Sequence, residues 1–486
     1  MRLSALALLL CLAPLAAAQP DPITLGEAVE TALERSPELR RVEAGDAARR
    51  LAVRGARAGR LPVVSATLSP RQQYGLAFDQ TTGQLTQQTS ESVNVGLGGS
   101  ITVYDGGRTR AAVRQAELER TAGLAGVERT RQQVAIDVAQ SFLQLLLDRE
   151  LVAIQQTQLD AAASQRDQVA ELVDAGARPR ADLVAQEAVV AERRLAVVEA
   201  EGAVAVSRVA LIQAIGLDPV GDYAFVGPSL EELERRGLLA VPPVELATLL
   251  AAARAQRADL RARSLDIDAL DASVATARAG GRPQLDVSAS VGTGYSSLQT
   301  RATGEAVDVP VILADGTPVL VGGTPLTFPG PTERSLTPIY TQFADNRGGS
   351  LGLTLTLPVY DATRTRRAVA AARIQADDAR IQRDALRRQI DAEVQTALVQ
   401  AQTAQARLDA SETQVAAAAA ALAVERDRYA LGAGTLYDVA QAQARLAQAE
   451  SARAQAAYTL VLRAAAVGLA TGDIDPDALA RDVLGE

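Results

Sequence analysis

The 486-residue chain has a composition that excludes most enzyme chemistry. It contains no His and no Trp, one Cys and one Met, and all 49 of its basic residues are Arg. Without His, neither a Ser-His-Asp triad nor an imidazole metal ligand can form, so we expect no enzyme, no metal site and no cofactor. The net charge of −9 also argues against a nucleic-acid partner, which would require a basic surface.

The first 18 residues predict a cleaved secretory signal. Arg2 is followed by an apolar run over 3–15, and the three alanines at 16–18 match a small-residue cleavage site. The run is too short for a membrane-spanning helix, which needs about 20 residues. Such a signal predicts that the mature chain is exported. Because Cys11, the one Cys of the chain, lies within this segment, we expect the mature chain to be free of disulfides.

Two copies of one sequence unit follow the signal. The Val-Tyr-Asp sequence at 103–105 recurs at 359–361, and the same offset of 256 residues carries Gly176 onto Gly432. A register that stays constant over so long a stretch indicates a duplication, which has to be recognised before the fold is predicted.

Each copy predicts one long helix flanked by shorter ones. Residues 105–174 and 361–430 lack Pro and consist largely of strong helix formers. At 1.5 Å per residue, each would be about 105 Å long. Apolar residues recur every seven positions, and a second apolar stripe on the first long helix indicates two packed neighbours, whereas a simple two-stranded coiled coil predicts one stripe. Shorter helices that could stack end to end beside them are predicted at 25–60, 182–214, 246–281 and 438–471.

After the first short helix of each copy, the apolar pattern changes to strict alternation. Four such segments predict strands, at about 62–70, 93–104, 284–295 and 350–360. Alternating strands of this length are typical of outer-membrane barrels, although a soluble sheet lying on a core would alternate in the same way. Four strands cannot close a barrel, and an open edge is not tolerated in lipid, so we expect several chains to contribute.

The two connections between these strands differ. Residues 71–92 predict a loop rich in Gln and Thr, and 296–347 predict a longer loop with many Gly and Pro. Within the second loop, short apolar runs flank Asp315-Gly316, which favours a small hairpin. We expect the second connection, 296–347, to be an extracellular loop.

Taken together, these features resemble the outer-membrane efflux family typified by TolC. The resemblance rests on the duplication, the helix-to-strand junctions at 61–62 and 282–283, the two Val-Tyr-Asp junctions, and the Gly-Ala-Gly-Thr-Leu-Tyr-Asp-Val sequence at 432–439. It implies a mainly α fold with a small β portion, in which a duplicated TolC-like unit forms a long α-helical coiled-coil barrel. Four strands from each chain would form a shared twelve-stranded transmembrane barrel in a homotrimer.

The resemblance divides the chain into five segments. They are a signal peptide (1–18), a first repeat (19–216), an equatorial linker (217–244), a second repeat (245–472) and a C-terminal tail (473–486). In the equatorial domain, which the tail joins, we expect a strand at 223–226 and a helix at 230–239. The acidic start of the tail lacks the Gly and the distant Glu of a calcium loop, which favours a solvated tail.

The family implies a passive exit duct of a tripartite efflux or type I secretion system. It would lie in the outer membrane with its helical portion in the periplasm. Its partners would be two further copies of the chain, outer-membrane lipid, a periplasmic adaptor and an inner-membrane transporter. The alternative is a trimeric coiled-coil surface or structural protein that its strands merely anchor. The duplication favours the duct, because a duct needs repeated hairpins.

The turns between the long and short helices are the candidate working sites. Gly176 and Gly432 lie where a helix must end, and Thr435 with Asp438 matches a capping box. These structural roles would be sufficient to explain the residues. The resemblance implies in addition that the tips contact the adaptor, through Ala175, Gly176, Ala177, Leu431, Gly432 and Ala433.

Matching to the family also places Tyr429 and Asp438 at gate positions. A phenolic donor and an ionised acceptor would then be repeated around the threefold axis. Two positions depart from the family pattern, since Gly434 stands where an Arg locks the gate and Gln441 where a second ring Asp is found. The resemblance therefore implies a gate that is only half present and a reduced acidic ring.

Overall fold

The computed structural model describes residues 22–79, 84–240, 244–476 and 478–484, so the predicted signal peptide lies outside the described residues. The helices are α1 (Leu25–Arg35), α2 (Pro37–Ala58), α3 (Arg108–Asp174), α4 (Arg180–Ile215), α5 (Leu230–Arg235), α6 (Leu246–Gln256), α7 (Ala258–Ala279), α8 (Ile339–Asp345), α9 (Arg364–Ala430), α10 (Leu436–Thr471) and α11 (Leu479–Leu484). The strands are β1 (Val63–Asp79), β2 (Gln84–Tyr104), β3 (Gln284–Ser296), β4 (Thr300–Pro310), β5 (Leu320–Val321), β6 (Thr324–Pro325), β7 (Thr327–Leu336) and β8 (Gly348–Thr356).

The chain separates into two compact units. The helical unit comprises the residues up to 50, 118–268 and the residues from 377 onward. The strand unit comprises 51–117 and 269–376. Each unit contains residues from both sequence repeats, which agrees with the duplication.

Two helices of 67 residues each, α3 and α9, confirm the predicted long helices. Both begin after an Asp that accepts backbone hydrogen bonds at the helix N-terminus. The carboxylate of Asp105 accepts from the amide of Thr109 at 2.6 Å, and that of Asp361 accepts from Thr365 at 2.8 Å. Such side-chain acceptors satisfy amides that have no partner inside the helix.

The core of the helical unit contains the heptad positions found in the sequence. Val138 and Leu145 on α3 are 1% and 0% exposed, and Val394 and Leu408 on α9 are 0% and 2% exposed. Apolar residues of α1, α4, α10 and α11 complete the largest buried cluster. Burying these side chains is the main favourable contribution to the packing of long, Ala-rich helices.

The predicted helices at 25–60 and 246–281 are each broken into two. The first breaks at Ser36, because Pro37 has no amide hydrogen to donate and disfavours helix in the residue before it. The second breaks at Arg257, which has extended backbone (ψ 119°) although no Pro follows it. Arg257 is 3% exposed, and its guanidinium binds the carboxylates of Asp259 and Glu393, each at 2.6 Å.

The strand unit contains an antiparallel sheet in the order β1-β2-β3-β8. Its first hairpin is longer than the sequence indicated, because 71–79 and 84–92 also pair as strands where we expected a loop. The partner segment 84–92 is almost entirely polar and shows no alternation, and the alternation of Tyr74, Leu76 and Phe78 on the first strand is a short signal that the sequence analysis missed. The last strand ends at Thr356, short of the predicted 360, since Pro358 cannot donate to a strand ladder.

The segment between β3 and β8 is more ordered than a plain loop. β4 pairs with β7, and an isolated bridge joins Ile312 to Pro318 around the predicted Asp315-Gly316 turn. Helix α8 follows, and its Gln342 is fully buried. The Gln342 side chain accepts from the Ser296 amide at 2.8 Å and donates to the Ser296 carbonyl at 3.1 Å, which fixes α8 at the end of β3.

The equatorial segment differs from the sequence expectation in three ways. The strand expected at 223–226 is a single parallel bridge between Ile23 and Phe225, and the helix expected at 230–239 ends at Arg235. The acidic tail is not simply solvated. Its residues Ile474, Leu479, Val483 and Leu484 are buried in the main core. The apolar spacing of these residues, which the acidic start obscures, is what places α11 there.

Candidate functional sites: the sheet and the helical tips

The sheet β1-β2-β3-β8 has one apolar face and one small, polar face. Its register aligns like residues in rows across all four strands. The apolar face has the rows Val64-Gly99-Ala289-Leu351 and Ala66-Leu97-Val291-Gly349, and the opposite face has Ser65-Gly98-Ser290-Ser350 and Thr67-Gly96-Gly292-Gly348. Leu68, Leu353 and Leu355 remain 67%, 70% and 66% exposed. An apolar surface of this kind marks contact with lipid or protein.

Tyrosines lie at both ends of the apolar face. Tyr104 pairs with Leu285 after a bulge that moves its side chain to this face, and Tyr295 pairs with Val93 at the other end. The ten residue-to-residue steps from Leu285 to Tyr295 correspond to about 33 Å along the strand. At a strand tilt of about 40°, this is about 25 Å along the membrane normal, the height of the apolar band between the aromatic girdles of outer-membrane barrels.

The outer strands of this sheet each have one paired edge. Within the described residues, β1 pairs with β2 alone and β8 with β3 alone. Each therefore presents a row of backbone donors and acceptors on its other side. In lipid these groups must be paired, because no water is available to bind them.

The two helical tips share one backbone design. After α3 and α9, Gly176 and Gly432 each have a φ of 73°, a left-handed conformation that favours Gly. The next amide in each turn donates back to the helix at 2.8 Å, as in a Schellman motif. The residues predicted to contact an adaptor are all exposed, namely Ala175, Gly176, Ala177, Leu431, Gly432 and Ala433.

Asp438 forms the capping box predicted from the sequence. Its Oδ2 accepts from the amide of Thr435 at 3.0 Å and from the hydroxyl of Thr435 at 2.7 Å, and the Asp438 amide donates to that hydroxyl at 3.2 Å. The hydrogen bond from the Thr435 side chain is the main cause that holds the pKa of Asp438 below its usual range. The carboxylate therefore stays ionised at neutral pH.

Tyr429 is placed differently from the sequence expectation. It is 7% exposed and packs in a small apolar cluster with Val169, Leu422, Leu436 and Val439. Its hydroxyl is enclosed and has no hydrogen-bond partner among the described residues. In this conformation the Tyr429 hydroxyl therefore does not act as a donor to a neighbouring chain. The aromatic ring, rather than the hydroxyl, makes the polar contact described next.

Arg178 is the tip residue that the sequence analysis missed. Its guanidinium carbon lies 4.4 Å from the centre of the Tyr429 ring, and its Nη2 donates to the Tyr429 carbonyl at 3.0 Å. One lone Arg in a turn has no periodic signature. The repeat offset of 256 would have singled it out, because it carries Arg178 onto Gly434, the position where the family's Arg is absent.

A groove between α9 and α10 lies beside the second tip. It has a volume of 380 Å³ and is lined by small and polar residues, among them Glu425, Asp438, Gln441 and Arg445. Glu425 is also paired with Arg428 at 2.9 Å. Gln441 faces the same groove as Asp438, so the carboxylate that the family pattern would place there is replaced by a neutral amide.

Two searches of the described part of the chain found nothing. No helix there combines the length and the apolar character needed to cross a membrane. No group of three or more acidic or Cys side chains in those residues is placed to hold a metal ion.

The chain matches the sequence profile of the outer membrane efflux protein family over residues 28–217 and 249–473, and no match was found among curated proteins. The solved structure of CusC is similar, with a TM-score of 0.71, 16% identity and 92% of each chain covered. VceC from Vibrio cholerae has a TM-score of 0.68 at 19% identity, covering 92% of this chain and 96% of that chain. The Campylobacter jejuni CmeC outer membrane channel has a TM-score of 0.69 at 15% identity, covering 94% and 89%. These structures establish the fold, and because the profile spans both repeats, the chain belongs to the outer membrane efflux protein family.

Proposed function

We propose that three copies of this chain form a passive exit duct in the outer membrane, working with a periplasmic adaptor and an inner-membrane transporter. The observation that carries the proposal is the open sheet with an exposed apolar face. Three such sheets would close a twelve-stranded barrel, with β8 of each chain paired to β1 of the next. This arrangement satisfies both open edges and turns the apolar rows toward lipid.

In this assembly the segments have distinct roles. Residues 1–18 are removed as a signal, 19–216 and 245–472 act as the two repeats, and 217–244 with 473–486 form the equatorial domain. The helical portion extends into the periplasm. The segment between β3 and β8 lies on the cell exterior.

The helical tips would form the periplasmic entrance. The exposed turns at 175–177 and 431–433 are suited to an adaptor, since they present small side chains and an accessible backbone. Tyr429 and Asp438 would belong to the gate, with Asp438 repeated three times around the axis. Because Gly434 and Gln441 are uncharged, this gate would carry fewer charged side chains than the family pattern implies.

Crosslinking in intact envelopes tests the partners. Purification of the parent channel should recover one adaptor and one inner-membrane transporter. Leu431 is 85% exposed at the second tip, so Leu431→Asp should abolish recovery of both partners while the trimer persists. Val220, 92% exposed in the equatorial segment, provides the matched control, and Val220→Asp should retain them. Retention of the adaptor by Leu431→Asp would contradict docking at the tips.

A further inference from the structure

Arg178 joins the tip of the first repeat to the tip of the second. It lies in the turn between α3 and α4, and its guanidinium covers the ring of Tyr429 near the end of α9. The Tyr429 carbonyl that accepts from Arg178 also accepts from the Gly432 amide at 3.1 Å. A cation at this place is favoured twice, by the partial negative charge of a helix C-terminus and by the aromatic face.

The duplication makes this contact asymmetric. The offset of 256 residues carries Val173 onto Tyr429 and Arg178 onto Gly434, so the first repeat supplies the cation and the second supplies the ring. Gly434 has little room for a side chain. A Cβ built there would lie 3.2 Å from both the Cβ of Arg428 and the amide nitrogen of Tyr429. A side chain at Gly434 would therefore require these neighbours to shift by a few tenths of an ångström.

The surroundings of Tyr429 hold its ring in place for this contact. Val169 of α3 is 0% exposed and Val439 of α10 is 1% exposed, and both belong to the apolar cluster that encloses the ring. The Arg178 side chain closes the cluster from the tip side. Because the hydroxyl has no partner among the described residues, the ring and the carbonyl carry the interaction.

We propose that Arg178 is the closing residue of the gate. It forms an intrachain clasp with Tyr429 that holds the two tips together and replaces the cation missing at Gly434. The clasp rests on the proposed function, since it matters only if the tips form a gate. Opening requires the guanidinium to leave both the ring and the carbonyl.

Conductance of the full-length channel in planar bilayers tests the clasp. Arg178→Met and Tyr429→Leu should each raise resting conductance about tenfold, which corresponds to 1.4 kcal/mol. The double variant should show no further rise, because either change alone removes the contact. Tyr429→Phe keeps the ring, so its conductance should rise less than that of Tyr429→Leu. Arg180→Met removes a neighbouring exposed charge outside the contact and should conduct like the parent.

Hydrogen exchange at 172–178 and 428–434 provides a second readout. Arg178→Met should speed exchange at both tips while the thermal midpoint of the channel stays unchanged. Parent-like conductance and exchange in Arg178→Met, or a rise with Tyr429→Phe equal to that with Tyr429→Leu, would overturn the clasp while leaving the duct intact. A parent protein that forms no channels would instead overturn the proposed function. In that case hydrogen exchange would be the remaining test of the clasp, and parent-like exchange at both tips in Arg178→Met would overturn it.

Discussion

Asp438 has two roles that single substitutions can separate. Both hydrogen bonds from Thr435 reach Oδ2, so the carboxylate caps α10 and at the same time carries a charge into the groove. Asp438→Asn keeps an acceptor for the cap but removes the charge. We expect this variant to conduct more at rest and to be blocked less by multivalent cations added on the periplasmic side of a planar bilayer.

Thr435→Val provides the control for Asp438→Asn. It removes the hydroxyl of the cap and leaves the carboxylate, so it should lower the free energy of unfolding by about 1 kcal/mol and leave cation block unchanged. Unchanged conductance and block in Asp438→Asn, together with a loss of stability, would show that Asp438 is only a helix cap.

The strand-to-helix junctions of the two repeats adopt the same turn with different residues. Gly106 and Gly107 have φ values of 69° and 89°, and the equivalent Ala362 and Thr363 have 50° and 63°. A left-handed conformation costs a residue other than Gly about 1–2 kcal/mol. A Cβ at Gly107 would lie no nearer than 3.7 Å to Arg282, so Gly107→Thr adds backbone strain without a clash.

We therefore expect Gly107→Thr to lower the free energy of unfolding by about 1–2 kcal/mol. Thr363→Gly should not lower it, because relief of strain outweighs the backbone entropy of Gly, about 0.5–1 kcal/mol. Chemical denaturation in detergent measures both. Equal losses in the two variants would show that backbone strain does not distinguish the repeats.

Among the secondary-structure elements, those with a clear period were predictable from the sequence. The heptads of α3 and α9 reflect their buried faces, and the alternation in the central parts of the four strands reflects the one apolar face of the sheet. The hairpin extension beyond 70 was missed because 84–92 is almost entirely polar and the alternation of Tyr74, Leu76 and Phe78 is short. Arg178 was missed because its role depends on Tyr429, which is distant in the sequence and adjacent only after the two repeats pack.

The ion pair at the break between α6 and α7 should make the stability of the protein depend on pH. Arg257 binds Asp259 through two hydrogen bonds, of 3.1 and 2.6 Å. Burial raises the pKa of Asp259, but the hydrogen bonds and charge of Arg257 outweigh it, so the pKa is below its usual range. The stability that this pair contributes is full above the unfolded pKa of about 3.9 and is lost as pH falls through the lower folded value.

Thermal unfolding over a range of pH checks this expectation. Asp259→Asn should have a lower midpoint than the parent at neutral pH, and the difference should shrink as the pH is lowered below about 4. A difference that stays constant down to the most acidic condition would exclude the ion pair as its source.

The segment between β3 and β8 should be dispensable in large part. The Thr337 amide donates to the Gln299 carbonyl at 3.0 Å, so the two ends of 300–336 are already adjacent. Replacing 300–336 with a short Gly-Ser turn should preserve assembly and conductance, because closure entropy changes slowly with loop length. In the parent, protease added to intact cells should cut within this segment. Cleavage only after the outer membrane is opened would place the segment between β3 and β8 in the periplasm and contradict its position on the cell exterior.

At the scale of the whole molecule, the central claim is that one chain is incomplete. A single sheet whose two edges have no partner strand in the described part of the chain, and whose apolar face is exposed, cannot be stable in lipid. Closing it requires further copies, and three of them give the twelve strands that the proposed barrel needs. The proposed gate and the proposed adaptor contacts depend on that assembly.

Native mass spectrometry of the full-length channel released from detergent micelles tests this claim most directly. We expect one dominant species with the mass of three mature chains, which persists in Arg178→Met because the clasp lies within a chain. A monodisperse monomer that is soluble without detergent would contradict the trimeric barrel, as would a stable assembly of any other number of chains.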